Sequence, residues 1–151
     1  MATPEQARES LPVHLEKVLY TAKAHTTGGR QGGTSRTDDG RLDLHFTEPG
    51  QGGNGTNPEQ LFACGWSTCF LSSILLVAGK RKIVLPEGLA VDAEVDLGLT
   101  HGVHGLAGRL KVSLPGMDRQ AAQALADAAH QICPYSRMAD GHIEIATTVV
   151  V

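Results

Sequence analysis

The chain has 151 residues, a formal net charge of -3 and only 4% aromatic residues. That length suits one domain with a core of Leu, Val, Ile and Ala, large enough to stand without disulfide staples. The mildly acidic balance leaves no surplus of positive charge for phosphates, so nucleic acid is excluded as an expected partner.

Residues 1–13 are polar, contain Pro4 and Pro12 and follow no period, which predicts an N-terminal extension ahead of a single domain at 14–151. The start of the chain carries acidic residues and no apolar signal core, and it is not an Arg-rich transit segment, so a cytoplasmic protein is expected. Residues 16–25, "EKVLYTAKAH", and 41–47, "RLDLHFT", alternate with period two and predict half-buried strands. The turn-rich "TTGGRQGGTSRTDDG" between them, with Asp39 and Gly40 as a turn signal, predicts a hairpin with a long loop.

At the end of the glycine-rich "PGQGGNGTNPEQ", Asn57 suits an N-cap, Pro58 the first helical position and Gln60 the third position of a capping box. A helix is predicted from 58 to 78, with Gly79 as its C-cap, and it is apolar nearly all round, which means burial. Its uncharged stretch, followed by Lys80, Arg81 and Lys82, also has the length and flank of a membrane span. Gly65, Ser67, Thr68, Ser72 and Ser73 inside it, and the amphipathic strands around it, favour a buried core helix.

"AVDAEVDL" (90–97) and "GLAGRLKVSL" (105–114) alternate with acidic and basic outward faces and predict an antiparallel pair. Residues 118–132 place Ala122, Leu125, Ala129 and Ile132 at helical spacing, with Asp118 as N-cap and Pro134 as the stop. "IEIATTVVV" closes the chain as a strand. The order strand, strand, helix, strand, strand, helix, strand makes the class α+β with mainly antiparallel sheet.

"GQGGNG" matches a dinucleotide-loop pattern, but no strand runs into it and the acid expected about 20 residues later is missing. His101 and His104 have no ligand set beside them and fit a solvated loop. Three cysteines are too few and too odd in number for a disulfide scaffold, and the cytosol would keep them reduced, leaving reactivity or metal binding as their chemistry. Cys64 and Cys69 point about 140° apart on a helix and cannot share one ion. Cys64, beside Gly65, reads as a small buried hydrophobe. Cys69 and Cys133 remain, the latter in "ICPYS", where a proline bends the backbone and can present a sulfur. A reactive thiolate needs a nearby positive charge. Arg30 in "TGGRQGG" and the basic residues at 80–82 are the candidates, and Glu59 at the helix start is placed to hold Arg30.

Taken together, "VLYTAKA", "TGGR", "GTNPEQLFACGWSTCF" and "LPGMDRQAAQALADAAHQICPYS" resemble the organic hydroperoxide resistance (Ohr) branch of the OsmC/Ohr superfamily, over residues 18–151. The resemblance implies a cysteine-based peroxidase that reduces organic hydroperoxides, with Cys69 peroxidatic, Cys133 resolving, Arg30 stabilising the thiolate and Glu59 orienting Arg30. It implies sheets packed around long central helices in an intertwined homodimer with active sites at the subunit interface. It also implies no bound metal or flavin, and a lipoylated protein as the dithiol reductant. Cys64 departs from the small apolar residue usual in the family, and the N-terminal extension is longer than usual. An OsmC-type peroxidase with a broader peroxide preference and a non-catalytic carrier of hydrophobic ligands are the rival readings.

Overall fold

The computed structural model describes residues 14–151; the predicted N-terminal extension lies outside the described residues. In chain order the elements are β1 (Ala24–Thr27), β2 (Thr34–Thr37), β3 (Asp43–His45), α1 (Pro58–Arg81), β4 (Ala90–Thr100), β5 (Val103–Ser113), α2 (Arg119–Ile132), α3 (Pro134–Ala139) and β6 (Glu144–Val150). They form two three-stranded sheets, β1-β2-β3 and β4-β5-β6, and the class is mixed α+β as expected.

Helix α1 starts where its polar signals place it. Asn57 is extended at φ -146°, its side chain accepts the Gln60 N–H at 2.9 Å, and Pro58 begins the helix without losing a bond. The reciprocal half of the capping box does not form, because the Gln60 side-chain oxygen instead accepts the Thr56 hydroxyl at 2.8 Å. The C-terminus lies beyond the predicted one. The chain stays helical through Gly79 and turns left-handed at Lys82, φ 55°, whose N–H returns to the Ala78 and Gly79 carbonyls. The three extra residues let Ile83 and Leu85 fold back onto the core.

Trp66, Phe70, Ile74, Val77 and Ala78 recur at helical spacing and make the buried face of α1. That face packs against Ala122, Leu125, Ala126 and Ala129 of α2 and against Leu110, Val112 and Val149 of the second sheet. Leu75 and Leu76, on another side of the same helix, are half exposed. By length and composition α1 could cross a membrane, but its inward face is the centre of this core.

The second sheet follows the predicted charge pattern. Asp92 lies opposite Lys111 and Glu94 opposite Arg109 in the antiparallel β4–β5 ladder. Arg109 donates to both carboxylate oxygens of Asp96 at 2.7 Å, on the solvent side. Strand β6 is parallel to β5. A parallel neighbour requires a crossover, and α2 and α3 supply it.

The first sheet departs from expectation. Residues 16–23 form no strand, since they have no ladder partner among the described residues, and Leu15, Val18, Leu19 and Tyr20 are exposed. Part of the expected loop is instead β2, which pairs with both neighbours in a meander. The turn at Asp39 and Gly40 forms as predicted, with Gly40 at φ 71°.

Candidate active site

Cys133 sits where two helices meet. A residue before proline is driven away from helical geometry, so Cys133 adopts φ -66°, ψ 117° and is at once the last cap of α2 and the first of α3. The bend turns its fully buried sulfur toward α1. Cys69, half-buried on that helix, lies 3.2 Å away, with the Cys133 Sγ donating toward the Cys69 Sγ. A disulfide would be about 2.05 Å long, so these are two free thiols in contact. Burial pushes the Cys69 thiol above its usual range, the Tyr135 N–H works against this, and the neighbouring Cys133 adds to it.

Arg30 and Glu59 form a second pair. Gly28, Gly29 and Gly32 take positive φ in the loop that carries Arg30, and a Cβ at Gly33 would come within 2.2 Å of the Gly29 carbonyl oxygen. Only glycine closes so tight a turn. The Arg30 guanidinium donates from Nη1 to Glu59 Oε2 at 2.8 Å and from Nη2 to Oε1, a two-pronged bond. This bond raises the Arg30 pKa and holds the Glu59 carboxyl below its ordinary value.

The two pairs do not meet within one chain. From Glu59 to Cys69 the helix rises about 15 Å, at 1.5 Å per residue. Among the described residues no cation acts on the Cys69 thiol, whose shift comes from burial, Tyr135 and Cys133. Cys64 lies on yet another side of α1 and is exposed, not the buried hydrophobe its sequence suggests. Among the described residues no group of three or more His, Cys, Asp and Glu side chains could hold a metal ion.

Aromatic and polar side chains cluster on the elements that carry the thiols. Phe62 stacks on Tyr135 with ring centroids 5.9 Å apart and meets Trp66 at 5.6 Å. The Tyr135 ring lies over Gly65, where a Cβ would fall 2.7 Å from its Cε2. Phe62, Trp66 and Cys69 are at i, i+4 and i+7 on one helix, a pattern that could have marked an aromatic wall beside the sulfur. His130, Ser136 and Trp66 form a buried polar chain behind it.

Burial pushes the His130 pKa down, against the pull of Asp127 and Asp140. A folded-state pKa below the unfolded value of about 6.5 means that folding favours the neutral ring. Its contribution is therefore present above that pH and lost as pH falls through the folded value. The carboxylates with depressed pKa values, among them Glu59 and Asp96, lose theirs only below about pH 4.5. Urea midpoints are expected to fall from pH 7.5 to 5.5 in wild type and to change less in His130→Asn.

A mixed α+β chain that brings cysteines from two separate elements into contact has the build of a two-thiol protein. The model of the family described as OsmC-like protein matches residues 50–148. The chain is 44% identical to the organic hydroperoxide resistance protein of Xanthomonas axonopodis pv. citri over 138 residues, covering 89% of this chain and 96% of that protein. It superposes on the crystal structure of an organic hydroperoxide resistance protein from Legionella pneumophila with a TM-score of 0.83 and 39% identity, covering 89% and 100% of the two chains. Against OhrB of Bacillus subtilis the TM-score is 0.82 at 35% identity, covering 87% and 99%. The chain belongs to the OsmC-like family, in its organic hydroperoxide resistance branch.

Proposed function

We propose that this protein is a cysteine-based peroxidase that reduces organic hydroperoxides to alcohols, with residues 14–151 as its single working domain. The observation that carries the reading is the 3.2 Å contact between the free Cys69 and Cys133 sulfurs. The Cys69 thiolate attacks the distal oxygen of ROOH, the O–O bond breaks, and the products are Cys69 sulfenic acid and ROH. Cys133 then attacks the sulfenic sulfur; a disulfide forms and water leaves. An external dithiol, in our reading a lipoyl group on a partner protein in the cytoplasm, reopens the disulfide by exchange. No bound cofactor is required.

The cation for this chemistry comes, on this proposal, from a second copy. A thiol whose pKa is raised is a poor nucleophile near neutrality and gains most from a guanidinium beside it. In one chain Arg30 is held too far along α1 to serve Cys69. An intertwined homodimer, with the central helices packed together and the sheets around them, would bring the Arg30–Glu59 pair of each subunit to the thiols of the other. The exposed stripe of α1, with Leu75 and Leu76, and the exposed arm with Leu15, Val18, Leu19 and Tyr20 are apolar surface that such pairing would cover.

The stacked rings of Phe62 and Tyr135, neither of them fully buried, support an organic substrate, because each buried CH2 of an alkyl group adds about 0.8 kcal/mol to binding that H2O2 lacks. Turnover measured with cumene hydroperoxide or H2O2, each with dihydrolipoamide or glutathione, tests this. With dihydrolipoamide, the organic peroxide is expected to give a kcat/KM at least about tenfold above that of H2O2, a difference two CH2 groups would supply, and glutathione is expected to support less turnover with either peroxide. Equal rates with both peroxides would favour the broader OsmC-type activity, and no turnover would favour the carrier reading.

A further inference from the structure

We propose that Trp66, Ser136 and His130 form a positioning device for the disulfide-forming step, an inference that rests on the two-cysteine reading above. His130 lies three residues before Cys133 at the end of α2, and Ser136 three residues after it in α3. Their contact, Nδ1 to Oγ at 3.1 Å, therefore closes across the bend at whose apex Cys133 sits. The Trp66 indole, three residues before Cys69 on α1, donates to the same Ser136 Oγ at 3.0 Å. One hydroxyl is thus tied to the carriers of both sulfurs. The His130 ring is held on its other side by Thr147 of β6, Nε2 to Oγ1 at 2.6 Å, and packs on Phe70, the neighbour of Cys69, at 4.5 Å between centroids.

The hydrogens of this chain can be assigned. Ser136 is 2% exposed and Trp66 fully buried, so neither has water as an alternative partner. With the indole N–H filling one lone pair of the hydroxyl, the hydroxyl hydrogen is satisfied by donating to His130 Nδ1. The imidazole then carries its proton on Nε2 and donates it to Thr147, which is partly exposed and can turn its own hydrogen to solvent. The buried half of this network is rigid, since moving Ser136 or Trp66 would strand a polar atom away from water.

Rigidity at this bend matters to one step. After Cys69 is oxidised, Cys133 must close about 1.2 Å to reach bonding distance, at a C–S–S–C angle near 90°. The competing reaction is a second hydroperoxide, which converts the Cys69 sulfenic acid to sulfinic acid and releases ROH. Disulfide formation wins to the extent that the second thiol is held in place beforehand. Loosening the bend shifts the partition toward sulfinic acid, whatever the rate of the first oxidation.

The test measures that partition. Wild type, Ser136→Ala, Ser136→Thr and Thr147→Val are treated with increasing excesses of cumene hydroperoxide, and disulfide and sulfinic acid are counted by intact mass. Ser136→Ala is expected to raise the sulfinic-to-disulfide ratio by about tenfold, and Ser136→Thr, which keeps the hydroxyl, to bring it back to within about threefold of wild type. Thr147→Val, nearly isosteric, is expected to shift the ratio in the same direction by a smaller factor. The ratio is read only on variants shown by circular dichroism and a cooperative melt to be folded, because an unfolded fraction, with its two thiols apart, would itself go to sulfinic acid. Should Ser136→Ala not fold, Thr147→Val decides alone. Ratios equal to wild type in every variant that folds would overturn the positioning role. Failure of wild type to form any Cys69 to Cys133 disulfide would overturn the two-cysteine reading beneath it.

Discussion

Replacing Cys69 by serine is expected to lower turnover with cumene hydroperoxide by at least about 10³-fold, close to 4 kcal/mol of transition-state stabilisation. A serine hydroxyl is almost never ionised near neutral pH and lacks the polarisable sulfur that accepts oxygen from a peroxide. Cys133→Ser should behave differently: one equivalent of peroxide is consumed at a near-normal rate, and the reaction then stalls at a Cys69 sulfenic acid that more peroxide carries to sulfinic acid. Thiol counting separates these states. The chain has three cysteines, so wild type treated with one equivalent should fall from three free thiols to one, the remaining one being Cys64. Cys64→Ala should turn over like wild type, because Cys64 faces away from the Cys69–Cys133 contact. Full activity in Cys69→Ser would remove the peroxidase mechanism.

How much of this was legible in the sequence depends on whether the relevant forces are local. The start of α1 is readable because Asn57 and Pro58 each meet the needs of backbone groups within one turn. Its end is not, because the position of the last turn is decided by Ile83 and Leu85 reaching the core. Pro134 reads as a stop for α2, yet a proline is equally suited to the first position of the next helix, and α3 begins there. Strand β2 carries no apolar alternation at all. It is secured in its sheet by polar neighbours, Thr26 with Ser35 at 2.7 Å and Thr27 beside Thr34, which leave no hydrophobic period to detect.

The site divides in the same way. Arg30 and Glu59 follow from residue types, since a carboxylate at a helix start and an arginine in a glycine loop are natural partners. The approach of Cys69 to Cys133 spans 64 residues of chain, beyond any spacing rule, and only family resemblance pairs them in the sequence. His130 and Ser136 escape notice because each is an ordinary helical residue until the bend at Cys133 folds one over the other. Buried polar partners are set by topology, which residue periodicity does not encode.

The separation of the two pairs makes a strong prediction about assembly. On the homodimer proposed above, Arg30→Ala and Cys69→Ser proteins are each expected to be nearly inactive, the first because its thiolate loses the guanidinium, the second because it has no nucleophile. Unfolded together and refolded at equal concentration, the two chains are then expected to form mixed dimers. If Arg30 serves the thiols of the other subunit, a mixed dimer holds one intact site, made of Cys69 from the Arg30→Ala chain and Arg30 from the Cys69→Ser chain. Random pairing puts half of the subunits in mixed dimers with one working site of two, so about a quarter of wild-type activity should return. If Arg30 serves its own chain, every site in the mixture lacks one of the two groups, and nothing returns. The 15 Å of helix between Glu59 and Cys69 favours the first result, because bringing the guanidinium to the sulfur within one chain would break the two-pronged Arg30–Glu59 bond and move a loop whose turn admits only glycine at position 33.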